Sequence, residues 1–505
     1  MLSRDGPSER PDDPKTPATW SAFVVVWCLG TMADHTGMPR ALVEQVFGGQ
    51  PGPLAIDAAL RVLWLAAAAS ALLRPSSTRR FWTLCLLGSV VILTQLPRVP
   101  NHWIVQLAVY TGSLTVALVV RETRGRIATL RLMLLGTGLV VYLWTFVHKL
   151  NAGFLDPTTS CGPVFVESLA GRLDLPRPGL GLAPVAVWMV LVTEGAMPLL
   201  LMTAHGRAAA ILLGIGLHYV FGLFVAGFSL LMWATYFMWL PEDALDRAVE
   251  TIRRGGRRIG QGLGSPSFFR AVPGWLAELV GVVGVVAAVG GLTVLPTFRG
   301  LSPQETLLLP VAVAVGLLLV SGLVECDFKI SLPRPTRPGV IVAVAIALLV
   351  AINGAVPYLG IRNNLAFSMF SNLRTENGAS NHLFLPVIET PWSILDDQIE
   401  ILDSSDPELV KYARPQHRVR WNWTTLITEG QRARFELPFF MVRARAQELR
   451  AEGAPPFSLE YTRGGDTVSL SPSDVSALGG VSRVSMWLHW SKGTPLPPLR
   501  NACMW

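Results

Sequence analysis

Ten stretches of this 505-residue sequence are apolar, and few charges interrupt them. They fall near 20–32, 57–73, 81–96, 103–120, 127–148, 181–204, 208–240, 271–296, 305–324 and 339–357. A hydrocarbon core about 30 Å thick takes roughly 20 helical residues to cross, so most of these read as transmembrane helices. The first is short and reads as partly inserted. The seventh is too long for one crossing, and Gly222 and Gly227 offer break points within it. It reads as a full crossing followed by a shorter returning half-helix. The expected fold is an α-helical polytopic membrane bundle of about 9–11 segments over residues 20–357.

Length alone would suggest two or three soluble domains. Composition argues otherwise, since 51% of residues are hydrophobic and only 15% are charged. The net charge of +7 sits mostly in short loops between apolar runs, so it does not point to nucleic-acid binding. Residues 1–19 are polar and proline-rich, with no apolar h-region or small-residue cleavage site. They are expected to form a disordered cytoplasmic leader rather than a signal peptide.

Basic residues orient the bundle. Arg74, Arg79 and Arg80 share one loop, and Arg121, Arg124, Arg126 and Arg131 lie in or beside another. Arg247, Arg253, Arg254, Arg257 and Arg258 occupy a third, and Lys329, Arg334 and Arg337 a fourth. Counted from a cytoplasmic N-terminus, with the seventh segment returning, all four loops face the cytoplasm. The positive-inside rule is then satisfied throughout. Two consequences follow for a multi-pass protein of the plasma membrane. The fifth segment runs outward and ends at His148-Lys149, and residues 358–505 form an extracytoplasmic domain on that same side.

The tail is expected to be a mixed α/β, β-rich domain. Phe457 to Tyr461 alternates like a strand, and an Arg463-Gly464-Gly465-Asp466 turn leads into Thr467 to Leu470, a hairpin signal. Residues 439–451 read as a helix ended by Gly453. Phe367 to Leu373 and Asn381 to Leu385, joined through Glu376-Asn377-Gly378, read as strand, turn, strand immediately above the membrane. Asn372, Asn381 and His382 are placed there to line the mouth of a site or to cap the helices.

Only five of the 42 basic residues, counting Lys and Arg together, are lysines. One of them, Lys149, stands at the outer end of an apolar helix beside Tyr142, Trp144 and Phe146. Lysine can lose its proton when desolvated and arginine effectively cannot, so Lys149 is a candidate general base. A snorkelling interfacial lysine is the plainer alternative. Glu194 lies mid-segment in Val192-Thr193-Glu194-Gly195, where an ionised carboxylate costs several kcal/mol. It is a site residue, a proton carrier or a helix-packing group. His218, in Gly216-Leu217-His218-Tyr219, carries the same choice. The five cysteines, Cys28, Cys85, Cys161, Cys326 and Cys503, have no metal-ligand spacing, and no metal site is expected. Cys161 and Cys503 share the outer compartment and are able to pair.

At His148-Lys149-Leu150-Asn151-Ala152-Gly153-Phe154 the sequence resembles the vitamin K-dependent γ-carboxylase family. More broadly, it is similar to bacterial members of the HTTM (horizontally transferred transmembrane) group. That family reads Lys-Lys-Leu-Asp-Ala-Asp-Trp here, so its second, catalytic lysine falls on Lys149 and its first is replaced by His148. His218-Tyr219 followed by Phe228 to Met232 resembles the family's later His-containing helix. The Phe367 to Leu373 run, with Met369, resembles its Ser-Met-rich segment.

The resemblance implies that Lys149 deprotonates a reduced vitamin K or menaquinol, with His148, Glu194 and His218 holding, polarising or relaying protons. It implies quinone contacts from Tyr142, Asn151, Tyr219, Met369, Asn372, Asn381 and His382. Molecular oxygen and carbon dioxide would be co-substrates, and a glutamate-containing peptide the acceptor. The high Arg:Lys ratio fits a GC-rich bacterial source, where menaquinone is the expected quinone. The tail is smaller than the family's propeptide-binding lumenal portion, and Asp-Ala-Asp-Trp has become Asn-Ala-Gly-Phe. The alternatives are a non-catalytic membrane binding or assembly protein, or a transporter using Glu194 as a proton carrier. No internal repeat supports the transporter.

Overall fold

The computed structural model describes residues 16–33, 53–96, 99–172, 176, 179–222, 225–251, 303–413, 435–489 and 494–495. The expected segment at 271–296 and the arginines at 253–258 lie outside these residues. Most of the described chain is helical, and each remaining apolar stretch forms a helix. These are α1 (Ala18–Ala33), α2 (Pro53–Leu73), α3 (Thr78–Gln95), α4 (Asn101–Val119) and α5 (Thr123–Lys149). A one-turn α6 (Ala152–Leu155) and α7 (Cys161–Arg172) precede α8 (Ala183–Leu201). Then come α9 (Ala204–Gly222), α10 (Ala226–Trp239), α11 (Pro303–Glu325) and α12 (Arg337–Ala355). A 3₁₀ turn, Val356–Leu359, extends α12. Among the described residues, four helical segments are long and apolar enough to cross a membrane: Asn101–Val119, Thr123–Lys149, Ala183–Leu201 and Arg337–Leu359.

The chain divides into two compact units, with one division falling inside α3. In the first, α1 packs along α10 and α2, and α10 also meets α11. Trp20, Phe23 and Trp27 are enclosed, and Phe81 meets the rings of Trp20 and Phe23. The short α1, read from sequence as partly inserted, is largely buried within this unit. The long seventh stretch is two helices, as its glycines suggested. Tyr236 of α10 reaches Gly214 of α9, which the returning segment requires.

The second unit holds all four long apolar helices and the tail. Its axis is α5, which packs against α4, α8 and α12. Glycines let these helices approach closely, as small residues do between helices that cannot rely on a hydrophobic drive. Gly112 of α4 faces Met133, Gly195 of α8 faces the Phe146 ring, and Gly339 and Gly354 of α12 face Thr129 and Trp144. Thr336 caps α12 by accepting from the Gly339 amide. At the other end, Gly360 turns the chain with φ +64°.

Beyond α12, residues 361–397 contain no strand, which corrects the strand–turn–strand expectation. Leu365, Phe367, Phe370 and Asn372 all adopt positive φ, a conformation incompatible with an extended ladder. The one strand-like contact is an isolated bridge between Asn151 and His382. Farther on, β1 (Gln398–Ser404), β2 (Phe435–Pro438), β3 (Leu459–Arg463), β4 (Asp466–Leu470) and β5 (Thr494–Pro495) form an antiparallel sheet in the order β4-β3-β1-β2-β5. The β3–β4 hairpin pairs Arg463 with Asp466 across Gly464-Gly465, both at positive φ, as a two-residue turn needs. Helix α13 (Val410–Ala413) follows β1, α15 (Pro472–Ala477) follows β4, and between them α14 (Phe439–Glu452) ends at Gly453. Its Val442 and Ala446 bury against Ile399, Ile401, Leu437, Leu459 and Tyr461 of the sheet.

Arg362 joins the tail to the helices. Its guanidinium donates to the Trp487 carbonyl at 2.9 Å and to Asn353 of α12. Burial lowers its pKa to about 10.

A side chain at Gly354 must displace the Trp144 indole. Gly354→Val is therefore expected to destabilise the protein by about 1–3 kcal/mol. Thermal unfolding in detergent checks this, and an unchanged midpoint would show that the helices separate freely there.

Candidate functional site

The last turn of α5 holds two basic residues in sequence, and neighbouring helical positions point about 100° apart. Lys149 and His148 accordingly meet different partners. Lys149 turns toward α8, where its Nζ lies 2.7 Å from Glu194 Oε2, with only 4% and 5% of the two side chains exposed. It also donates to the Thr145 carbonyl at 3.4 Å and stands 5.7 Å from the centroid of the Phe154 ring. One residue beyond Glu194, Gly195 receives the ring of Phe146, so α5 and α8 close tightly around the pair.

His148 turns the other way and is fully buried. Its ring lies 5.2 Å from Trp144 and 5.5 Å from Tyr358, centroid to centroid. Neither of its nitrogens has a hydrogen-bond partner, and the Tyr358 hydroxyl has none either. Tyr358 in turn stacks on Trp144 and meets His382 edge-on. Three orphaned polar atoms thus sit within one aromatic cluster. A neutral imidazole offers one donor and one acceptor, and a phenol offers both. A hydroxyl-bearing group is the chemistry that would satisfy them.

A brace of amides holds the helix end. Asn151 donates to the His148 carbonyl at 2.7 Å and the Ser371 carbonyl at 2.6 Å. Its Oδ1 accepts from the Phe154 amide at 2.9 Å and from Asn381 Nδ2 at 3.2 Å. Asn381 also donates to the Asn372 carbonyl at 2.9 Å, and Asn372 Oδ1 accepts from the Cys161 amide at 3.0 Å. A Cβ on Gly153 would come within 3.3 Å of all three asparagines, so glycine permits this packing. The three amides, expected from sequence to touch a quinone, are committed to the chain itself.

His382 completes the brace. Its Nε2 contacts the Val147 carbonyl at 2.8 Å, and its Nδ1 accepts from the amides of Phe384 and Leu385 at 3.0 and 2.9 Å. Those acceptor bonds define the neutral tautomer with the proton on Nε2. Burial pulls the pKa of His382 down, partly offset by the bond to Val147.

Of the other expected residues, Tyr142 is buried within α5 and Met369 is half-buried in the loop after α12. His218 and Tyr219 belong to the first unit, where His218 packs on Phe228 and Tyr236. Tyr358 and the buried Glu376 were not singled out from sequence. Glu376 accepts from Asn363 Nδ2 at 2.7 Å and from the Thr375 amide at 3.0 Å. Cys161 is disulfide-bonded, Cys28, Cys85 and Cys326 are in no disulfide, and Cys503 lies outside the described residues. Among the described residues, no cluster of three or more His, Cys, Asp or Glu could hold a metal ion.

Taken together, these features define a mostly helical, membrane-type protein with a buried ammonium–carboxylate pair at a helix end. The chain matches no protein-family model, and comparison with curated proteins and with solved structures finds none similar to it.

Two outcomes follow. Lys149→Met or Glu194→Gln alone leaves a buried charge without its partner and is expected to cost about 3–5 kcal/mol. The double variant should recover most of that loss in a thermal-unfolding cycle, whereas additive losses would mean that the pair is not coupled. For His382, the unfolded chain binds a proton more readily than the folded one. Its stabilisation is therefore complete above about pH 6.5 and is lost as the pH falls below that value. His382→Ala should flatten that pH dependence of the unfolding midpoint, and an unchanged slope would exclude His382 as its source.

Proposed function

We propose that this chain is a polytopic enzyme of the plasma membrane, related to the vitamin K-dependent γ-carboxylase and HTTM group. In this reading its N-terminus is cytoplasmic and its tail extracytoplasmic. Lys149 takes a proton from a reduced menaquinone or vitamin K at the outer membrane boundary. The observation that carries this reading is the Lys149–Glu194 contact of 2.7 Å, buried at the end of a long apolar helix. An amine removes a hydroxyl proton only from its neutral form. Glu194 is positioned to hold the ammonium proton and leave the Nζ lone pair free. The motif around Lys149 supplies the family likeness. The disulfide at Cys161, one short turn beyond α6, supports an oxidising outer compartment.

The residues present fit a hydroquinone. It would be held between the amine and the aromatic side chains around the helix end, with the orphaned His148 and Tyr358 groups available to a hydroxyl. When bound, the reduced quinone would supply, on reaction with molecular oxygen, a base strong enough to remove a γ-proton from a glutamate-bearing peptide, and carbon dioxide would add at that carbon. Lys149 and Glu194 move the first proton. Trp144, Phe146 and Phe154 exclude water from the helix end. Asn151, Asn372, Asn381 and His382 keep that end from shifting.

A second reading has support in the same contact. The pair satisfies its own charges, so it would serve equally as a pin between α5 and α8 in a non-catalytic binding or assembly protein. Lys149→Ala and Lys149→Arg separate the two. With reduced menaquinone or vitamin K, the enzyme reading expects quinol oxidation or epoxide formation in the wild-type protein and its loss in both variants. Arginine keeps the charge but cannot act as a base. Wild-type protein that neither binds nor oxidises either quinol would overturn the enzyme reading in favour of the pin.

A further inference from the structure

Residues 383–392, Leu-Phe-Leu-Pro-Val-Ile-Glu-Thr-Pro-Trp, are unusually apolar for a loop outside the helices. Five of their large side chains are exposed: Leu383, Phe384, Leu385, Ile388 and Trp392, with Phe384 at 72% and Trp392 at 67%. The only charge among them is Glu389. Isolated exposed hydrophobics need no explanation, but a contiguous group does.

Hydrogen bonds fix where this loop lies. The Leu383 amide donates to the Leu150 carbonyl at 2.9 Å, just past the end of α5. The Ile388 amide donates to the Tyr358 carbonyl at 2.7 Å, and Thr390 Oγ1 to the Leu359 carbonyl at 3.1 Å, at the end of the α12 segment. The loop is therefore tied to the matching ends of two helical segments that are each long enough to cross a bilayer. A second stretch of chain joins it. His489 Nε2 contacts the Trp392 carbonyl at 3.0 Å, and His489 ends α16 (Arg483–His489). On that helix Val484 and Leu488, four residues apart and so on one face, are both exposed. The Trp487 carbonyl of α16 is held by Arg362. The apolar face also continues along α12, where Val344, Leu348, Leu349 and Ile352 are exposed.

We propose that the 383–392 loop and the Val484–Leu488 face of α16 form a membrane anchor that inserts into the interfacial layer of the lipid bilayer around the ends of α5 and α12. This rests on the reading that those helices span a membrane. Lipid is the occupant because the patch is level with the helix ends and continuous with their own apolar surface. Its makeup also suits that layer: a tryptophan and a phenylalanine among aliphatic residues, at the depth where aromatic side chains gather. The anchor fixes the loop that starts at His382, so the bilayer itself steadies the brace around Lys149.

Spin labels at single introduced cysteines test this in full-length protein reconstituted into phosphatidylcholine and phosphatidylglycerol vesicles. The background is Cys326→Ser, since Cys28 and Cys85 are buried. Labels are placed at Phe384→Cys and Leu488→Cys, with Leu348→Cys as the helix control and Ser473→Cys, exposed in the tail, as the water control. The anchor requires that labels at 384 and 488 meet dissolved oxygen severalfold more than a water-soluble nickel chelate, as at 348 and opposite to 473. Water-like accessibility at 384 and 488, with 348 in lipid, overturns the anchor and leaves the spanning helices intact. Shielding from both reagents at 384 and 488 means that protein covers the patch, and also overturns it. A water-like 348 removes the spanning reading itself, and the anchor with it.

Discussion

Taking an ammonium and a carboxylate out of water costs several kcal/mol per ion, and an apolar helix pair compensates that cost chiefly through the opposite charge. Lys149 and Glu194 solve this by meeting at 2.7 Å. Much else at this end of the molecule follows from keeping them together. The glycine at 195 brings α8 close enough to α5, and the asparagine brace holds the last turn of α5 in register. Pulling the helices apart by a small distance would leave both ions without a partner in a low-dielectric setting. The pair is therefore also a constraint on how this end of the bundle can move.

The adjacent residue has the opposite character. His148 is as deeply buried as Lys149, yet its nitrogens have no partner, and the nearby Tyr358 hydroxyl shares that condition. One side of α5 is thus electrostatically complete and the other chemically open. Their separation arises from helical geometry alone, since consecutive residues cannot face the same neighbour. An enzyme that passes a proton from a bound hydroxyl to an amine would draw on both sides. A purely structural pin would need only the first.

Much of the helical architecture was legible because apolar run length, rather than any subtle pattern, marks such segments. The hairpin at 459–470 was legible from its Gly464-Gly465 turn, and the end of α14 from Gly453. Lys149 and Glu194 each stood out as ionisable groups in apolar company, but nothing local said that they would meet, because pairing depends on the rotation of two separate helices. The asparagines left two roles open in the sequence. Asn151, Asn372 and Asn381 look like lining groups in a polar loop, yet their amides replace the hydrogen bonds that irregular backbone cannot make for itself. Phe367 to Leu373 alternates like a strand, and only its left-handed residues reveal that it is not one. Tyr358 was hidden in a Pro-Tyr-Leu-Gly sequence that reads as nothing more than a helix ending.

In the proposed reaction, Glu194 receives the proton that Lys149 must shed before it can act on a quinol. Infrared difference spectroscopy of the reconstituted protein, with and without reduced menaquinone, measures this directly. The expected result is a change in protonated-carboxyl absorption on quinol binding that disappears in Glu194→Gln. Quinol binding that leaves every carboxyl band unchanged would contradict it.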